Sequence, residues 1–296
     1  MMHKHINHWG LEYFKFLIRN SLNPYKKYPI HILFCFVDHY EPGHGGVDEK
    51  KMDERVLYWR EYYPKMASNH HDADGCFPRH SWFYPPHYYQ KKYLDWLGQL
   101  CKQGYGEIEL HLHHQDDTPE TLKNKILEVI ELYNQSGVLI SSELNPKKYY
   151  GFIHGNWALD NSRYGKYCGV NNELIVLKET GCYADFTMPS VNEAQSKKIN
   201  SIYYAKDDPD KPKSYDWGMD VEVGKSANGD LMIIQGPLAF NWRNWRHIFY
   251  PALDFGDITD DDPPITSRID LWVKCHIHVI GKPDWVFIKI HTHGAL

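Results

Sequence analysis

Strand-like and helix-like segments alternate along most of this chain, and that alternation constrains its fold more than any other feature. Apolar runs such as "IHILFCFV" are followed by helical patterns, of which "DTPETLKNKILEVIELYNQSG" is the clearest. In that segment Thr118 is predicted to be the N-cap and Pro119 the first helical residue. Repeated strand–helix units favour a parallel sheet covered by helices. About seven such units predict an α/β fold, a distorted (β/α)7 barrel, with an open doubly wound sheet as the alternative.

No linker or break in composition divides the chain, so a single domain is predicted over residues 1–296. Residues 1–28 form an amphipathic, helical N-terminal extension in this prediction, and residues 29–296 form the barrel. The strand–helix pattern changes in the C-terminal third, where residues 220–240 predict an inserted β-hairpin. The pair Asn228-Gly229 is its expected turn.

The composition excludes several classes of function. The net charge is −5 and no stretch is strongly basic, which argues against nucleic acid as a partner. The apolar runs are far shorter than the roughly 20 residues that a membrane-spanning helix needs. The first residues lack the pattern of a signal peptide, and the six cysteines are scattered without a CxxC pair. A cytoplasmic protein with reduced thiols is therefore expected.

One predicted strand, "EIELHLHH" at residues 107–114, has an unusual polar face. Side chains of a strand alternate between its faces, so one face is apolar and the other carries Glu107, Glu109, His111 and His113. The two imidazoles lie about 6.6 Å apart along the strand, within reach of one cation. The polar face is therefore a candidate metal site.

Histidine or aspartate also occurs at the ends of four other predicted strands. These residues are Asp38, His39, His154, Asp185, His291 and His293. In barrels the chemistry takes place at the carboxyl ends of the strands. Imidazoles and carboxylates are the usual ligands of zinc and similar ions, and an open coordination position activates water. Metal-assisted hydrolysis is the reaction class that this pattern supports best, since the G-x-S-x-G and H-E-x-x-H motifs are absent.

Several of these segments resemble the motifs of NodB-type polysaccharide deacetylases. "EIELHLHH" is similar to the strand that carries that family's metal-binding histidines, and "FCFVDHYEP" occupies the place of its first motif. "GCYADFTMPS" and "FIKIHTHG" resemble its later motifs, so the likeness extends over about residues 29 to 294. The resemblance implies the family's distorted (β/α)7 barrel. It also implies a metal-dependent amide hydrolase that removes an N-acetyl or similar acyl group from an amino sugar. The expected absence of an export signal favours a nucleotide-linked, lipid-linked or soluble glycan intermediate, as in surface polysaccharide biosynthesis, over a cell-wall polymer.

The resemblance also implies roles for individual residues. Asp38 would be the catalytic base and His291 the catalytic acid. The metal ligands would be His39, His111 and His113, holding Zn²⁺ or, as alternatives, Ni²⁺, Co²⁺ or Mn²⁺. The family's Arg–Pro motif is replaced here by "HGNWALDN", so His154, Asn156 and Trp157 are predicted to bind substrate or to orient the base, and His80 is a further predicted substrate-binding residue.

The chain departs from the family's motifs at several points, which leaves alternatives open. The first motif ends here in Asp38-His39 rather than in two acids, so Asp38 could be either base or ligand. His114 competes with His113 as a ligand, and His293 competes with His291 as the acid.

Two other functions remain possible from the sequence. A glycoside hydrolase would use paired carboxylates, with Asp38, Glu109 and Asp185 as candidates. A non-catalytic protein that binds glycans would keep the cleft without the reaction. A carbohydrate is the expected partner in all three cases.

Overall fold

The computed structural model describes residues 5–22, 30–142, 145–242 and 251–295. The helices are α1 (Ile6–Ser21), α2 (Glu49–Ala67), α3 (Lys91–Lys102), α4 (Pro119–Asn134), α5 (Glu173–Thr180) and α6 (Thr266–Cys275). The strands are β1 (His31–His39), β2 (His80–Tyr84), β3 (Gly106–Leu112), β4 (Ile140–Ser142), β5 (Asn145–His154), β6 (Cys182–Asp185), β7 (Ile202–Ala205), β8 (Met219–Asp220), β9 (Leu231–Ile234), β10 (Ala239–Asn241), β11 (Ala252–Asp254), β12 (Ile277–Val279) and β13 (Lys282–Thr292).

The main sheet has the strand order β12-β13-β1-β2-β3-β5-β6-β9-β7-β8, and β4 pairs with β5 outside this path. The seven strands from β13 to β9 are parallel, whereas β12, β7 and β8 pair with their neighbours in antiparallel fashion. The predicted α/β class with a parallel sheet is confirmed. Because the strands are parallel, the carboxyl ends of β13, β1, β2, β3 and β5 meet at one edge.

Within the described residues the sheet is not a closed ladder, so the barrel itself is not established. Its end strands are β12 and β8. Just beyond β8, the amide of Val223 donates to the carbonyl of Ile280 at 2.9 Å, and the amide of Ile280 donates to Val221 at 2.9 Å. The two ends thus meet through an isolated bridge between Glu222 and Ile280 rather than through paired strands.

The predicted hairpin over residues 220–240 is wrong in its pairing. Its two arms, β8 and β9, both pair with β7, which lies between them. The strand β7 takes this position because Ile202, Tyr203 and Ala205 are buried, as expected of a central strand. A separate two-stranded antiparallel sheet follows, formed by β10 and β11. The residues between those two strands, 243–250, lie outside the described part of the chain.

The helical extension begins with α1, as predicted, while residues 1–4 and 23–28 of the extension lie outside the described residues. Trp9, Tyr13 and Phe16 of α1 are buried in a small core with residues of β7, β10, β11 and β12. Burial of this aromatic face holds the helix against the sheet. Within the described residues, no helix combines the length and the apolar character needed to cross a bilayer.

The two faces of β3 have different environments, as its alternation predicts. Ile108, Leu110 and Leu112 are buried in the large core between the sheet and its helices. The helix α4 packs against this core and begins as predicted, with the Thr118 hydroxyl accepting a hydrogen bond from the amide of Thr121 at 3.2 Å. The opposite, polar face of β3 therefore points away from these helices, and this side of the strand is called its inner face.

Candidate metal centre

An open cleft of about 560 Å³ lies at the carboxyl ends of the parallel strands. Six imidazoles and one carboxylate line it, together with Tyr88, Asn156 and Trp157. The imidazoles belong to His39, His44, His87, His111, His113 and His293, and the carboxylate belongs to Glu41. The cleft therefore brings together residues that are up to 254 positions apart in the chain, from His39 to His293.

Glu41, His111 and His113 form the centre of the cleft. The Nε2 atom of His113 lies 2.9 Å from Glu41 Oε1 and 2.9 Å from His111 Nε2. The Nε2 atom of His111 lies 3.6 Å from the same carboxylate oxygen. These three atoms are close enough together to hold one metal ion. Two imidazole nitrogens and a carboxylate oxygen are suitable ligands for Zn²⁺ and related divalent ions.

In His111 and His113, the hydrogen bond at Nδ1 determines whether Nε2, which faces the cleft, carries a lone pair. His111 Nδ1 lies 3.1 Å from the carbonyl oxygen of Ile153, which can only accept, so Nδ1 carries the proton and Nε2 has a free lone pair. His113 Nδ1 lies 3.2 Å from the amide nitrogen of Asn156. If the amide of Asn156 turns over, its oxygen accepts from His113 Nδ1 and frees His113 Nε2 for a metal. Asn156 is thus placed to select the ligand form of His113.

The charges in the cleft also suit a cation. Burial alone would raise the pKa of Glu41, but the neighbouring imidazoles of His111 and His113 outweigh it and lower that pKa. Burial lowers the pKa of His111, and burial with the neighbouring imidazole of His113 lowers the pKa of His87 to about 4. Burial and three neighbouring imidazoles hold the pKa of His39 well below its usual value. The carboxylate of Glu41 therefore lies among imidazoles, of which burial keeps those of His39, His87 and His111 in their neutral form at neutral pH.

The structure brings the three predicted metal ligands to the same cleft. His39 lies with its ring centroid 4.9 Å from that of His111, and its ring stacks at 5.0 Å on that of His293. In the group that could hold a single ion, however, the third partner of His111 and His113 is Glu41 rather than His39.

The predicted base, Asp38, lies behind the cleft. It is fully buried on the opposite face of β1 from His39, where Oδ2 lies 2.9 Å from His80 Nε2 and Oδ1 accepts from the amide of Gly294 at 2.7 Å. A Cβ atom at Gly294 would lie 2.5 Å from Asp38 Oδ2, so only glycine allows this approach. Asp38 and His80 are not among the residues that line the cleft. Asp38 anchors the chain segment that presents His293 through its hydrogen bond with the amide of Gly294.

The remaining predicted residues are divided between the cleft and the interior. Asn156 and Trp157 line the cleft. His291 is buried beneath it, 6.1 Å from His39 and 5.4 Å from Phe255 between ring centroids. His154 is fully buried and faces away from the cleft, with its ring 4.6 Å from that of His114.

Sequence reasoning missed four cleft residues, Glu41, His44, His87 and Tyr88. Glu41 follows His39 by two positions, so the period of a strand, continued past the end of β1, would have placed both on the same side. His87 lies in the short 3-10 turn Pro86–Tyr88, where no periodic pattern marks it. Its ring lies 5.3 Å from that of His113.

Comparisons of this chain with protein-family models, curated proteins and solved structures gave no significant match. The resemblance to NodB-type deacetylases therefore rests on the sequence motifs alone.

Proposed function

We propose that this chain is a metal-dependent hydrolase whose active centre is the cleft around Glu41, His111 and His113. The observation that carries the proposal is the convergence of these three ligand atoms in an open cleft. A site with three protein ligands and free space leaves a coordination position for water or substrate, as in catalytic zinc centres.

The residues fit a divalent cation such as Zn²⁺ by donor type and charge. Such a cation, when bound, supplies a polarised carbonyl and a water of lowered pKa. Glu41 would provide the negative ligand, and the bond from His111 Nδ1 to Ile153 would keep its Nε2 available. Asn156 would accept the Nδ1 proton of His113 after its amide turns over.

His293 is the proposed proton-transfer residue. It lines the cleft at the end of β13 and stacks on His39, whereas the expected acid, His291, lies beneath the cleft surface. In this proposal His293 protonates the departing amine, while Asp38 positions the segment that carries it.

The proposed substrate is an N-acylated amino sugar or a glycan intermediate, and the reaction is cleavage of its amide bond. The aromatic rings of Trp157 and Tyr88 at the cleft provide surfaces on which a sugar can stack. Glycoside hydrolysis is supported less well. It requires two carboxylates flanking the bond, and among the described residues only Glu41 contributes one to the lining of the cleft.

The test combines metal analysis with an assay for acetate release. The protein, prepared without a histidine tag, is compared with the His111→Ala/His113→Ala double variant. A matched control, His70→Ala/His71→Ala, removes two exposed histidines in a loop away from the cleft. N-acetylglucosamine oligomers and a nucleotide-linked N-acetyl amino sugar are the substrates.

Wild type and control should both release acetate, and the cleft variant should lose about 1000-fold or more of this activity along with one metal per chain. Release of reducing sugar ends without acetate would replace the proposal with a glycosidase. Sugar binding without any product, unaffected by added Zn²⁺, Ni²⁺ or Co²⁺, would indicate a glycan-binding protein.

A further inference from the structure

A second cluster of ligand-type side chains lies in the interior, apart from the cleft. It consists of His114, His154, Cys168 and Glu173, whose donor atoms all lie within 4.8 Å of one another. His154, Cys168 and Glu173 have no exposed surface, and the His114 side chain is also fully buried. The four residues come from the segment after β3, the end of β5, a loop, and the first residue of α5.

Both imidazoles have a partner at Nδ1, and both direct Nε2 at the carboxylate of Glu173. His154 Nδ1 donates to the carbonyl oxygen of Gly155 at 2.6 Å, so its Nε2 carries the lone pair in the neutral ring. His114 Nδ1 lies 3.1 Å from Asp117 Oδ2, an arrangement of carboxylate and histidine that is typical of metal-bound imidazoles. The two Nε2 atoms lie 3.0 Å (His114) and 3.5 Å (His154) from Glu173 Oε1.

This convergence is unfavourable unless a positive species lies among the donor atoms. The buried Nε2 atom of His154 has no hydrogen-bond partner in the part of the chain that the structure describes. A proton on His114 can form a hydrogen bond to Glu173, but the lone pair of His154 Nε2 would still face a carboxylate oxygen. An unpaired buried polar atom costs free energy, which a shared cation would offset.

The sulfur of Cys168 completes the set. Its Sγ lies 3.5 Å from Glu173 Oε2, and the amide of Val170 donates to Sγ at 3.5 Å. A thiolate and a carboxylate together neutralise the two charges of a divalent cation, which favours such an ion in a dry interior.

We propose that His114, His154, Cys168 and Glu173 form a second, structural metal site, which binds Zn²⁺ with tetrahedral coordination. Two nitrogens, one sulfur and one oxygen complete the four positions of zinc, so none remains for substrate. Binding converts the Cys168 thiol to a thiolate, and it releases to solvent the thiol proton and any proton that bridges His114 Nε2 and Glu173.

The site would hold the loop between β5 and α5 in place. That loop carries Asn156 and Trp157, which line the cleft. The ion would thus stabilise this part of the cleft wall, because its ligands His154 and Glu173 lie at the two ends of the loop. This inference does not depend on the proposed hydrolase activity.

Cobalt distinguishes the two sites because only the buried one contains a thiolate. The protein is expressed in medium with Co²⁺ as the added metal and without a histidine tag, and its cobalt content and absorption spectrum are recorded. Four proteins are compared: wild type, the cleft variant His111→Ala/His113→Ala, Cys168→Ala, and Cys182→Ala. The last is a matched control, because Cys182 is also buried but lies on β6 outside the cluster.

We expect a near-ultraviolet thiolate-to-cobalt charge-transfer band in wild type, in the cleft variant and in Cys182→Ala, with loss of the band in Cys168→Ala. Absence of cobalt or of the band in wild type, or persistence of the band in Cys168→Ala, would overturn the proposal.

If Cys168→Ala does not fold, X-ray absorption of the zinc-loaded cleft variant provides the decision without altering the buried site. A sulfur neighbour at about 2.3 Å supports the site, and a first shell of nitrogen and oxygen alone contradicts it. The deacetylase assay tests the cleft separately.

Discussion

The cleft cluster, defined by Glu41, His111 and His113, and the buried cluster, defined by His114, His154, Cys168 and Glu173, both include residues from the end of β3. His113 and His114 are adjacent in sequence, yet the side chain of His113 is 32% exposed and that of His114 is 0% exposed. Consecutive side chains of an extended segment point to opposite sides, so one end of a strand supplies both clusters.

Access to water is the main difference between the clusters. Glu41 and His113 border a cleft of about 560 Å³ that can admit a substrate. In the buried cluster the hydrogen bonds of His114 and Glu173 go to neighbouring protein groups, with Asp117 and the amide of Asp160 among them. The same ligand chemistry therefore suits catalysis in the first cluster and stability in the second.

The largest expected effect is on the free energy of unfolding, and it tests the division between a catalytic cleft cluster and a structural buried cluster. Glu173→Gln should lower the free energy of unfolding by about 3–5 kcal/mol, because the buried cation of the proposed site, or in its absence a proton on His114, would lose its paired charge. Glu41→Gln, the matched change in the cleft, should lower it by less, because Glu41 borders the open cleft, where water can solvate the imidazoles that lose its charge. Urea unfolding followed by tryptophan fluorescence measures both. Equal losses in the two variants would contradict the division.

A pH dependence of stability gives the second prediction. Glu109 lies on the inner face of β3, the same face as His111, and is equally buried but does not line the cleft, and burial raises its pKa from 4.5 to about 8. A carboxyl with a raised pKa in the folded state contributes most below pH 4.5, and this contribution is lost as the pH rises through 8. Between pH 5 and pH 8 the loss of this contribution should therefore lower the free energy of unfolding by roughly 2–4 kcal/mol.

Glu109→Gln is the variant that isolates this contribution. The glutamine amide can still bond to Tyr183 and to the amide of Gly151, which both contact Glu109. Unfolding free energies at several pH values should thus vary less in the variant than in wild type. Parallel curves would show that Glu109 is not the group responsible.

Periodicity explains what the sequence could predict. The two-residue alternation of β3 correctly separated Leu110 and Leu112, in the core, from His111 and His113, in the cleft. The cap at Thr118 was also readable, because its signal lies within four residues. Cys168 and Glu173 gave no local signal, because their partners His114 and His154 come from other segments and meet them only in the folded chain.

The order of the strands was harder to predict for the same reason. The pair Asn228-Gly229 is a strong local turn signal, but β7, from an earlier part of the chain, lies between the two arms of the predicted hairpin. Tertiary packing of β7 prevailed over the local preference of the turn.

Gly155 connects the two clusters and gives the third prediction. A Cβ atom there would lie 2.5 Å from the ring of His113, while the carbonyl of Gly155 accepts from His154. Gly155→Ala should therefore displace His113 and reduce cleft metal affinity by about 10–100-fold, measured by metal titration. The cobalt–thiolate band of the buried cluster should remain. Loss of the band together with the cleft metal would mean that the clusters are not independent.

The smallest expected effect concerns Asp38, and it tests whether this residue positions the segment of His293 or acts as the catalytic base. Asp38→Asn keeps an acceptor for the amide of Gly294 but removes the charge next to His80. If Asp38 only positions the segment of His293, kcat/KM should fall by less than about 10-fold, whereas loss of a catalytic base costs about 100–10,000-fold. The pH profile of kcat/KM decides between the two, with His293→Gln as the comparison. A positioning role leaves its shape unchanged in Asp38→Asn, and disappearance of its acidic limb would show that Asp38 is the base after all.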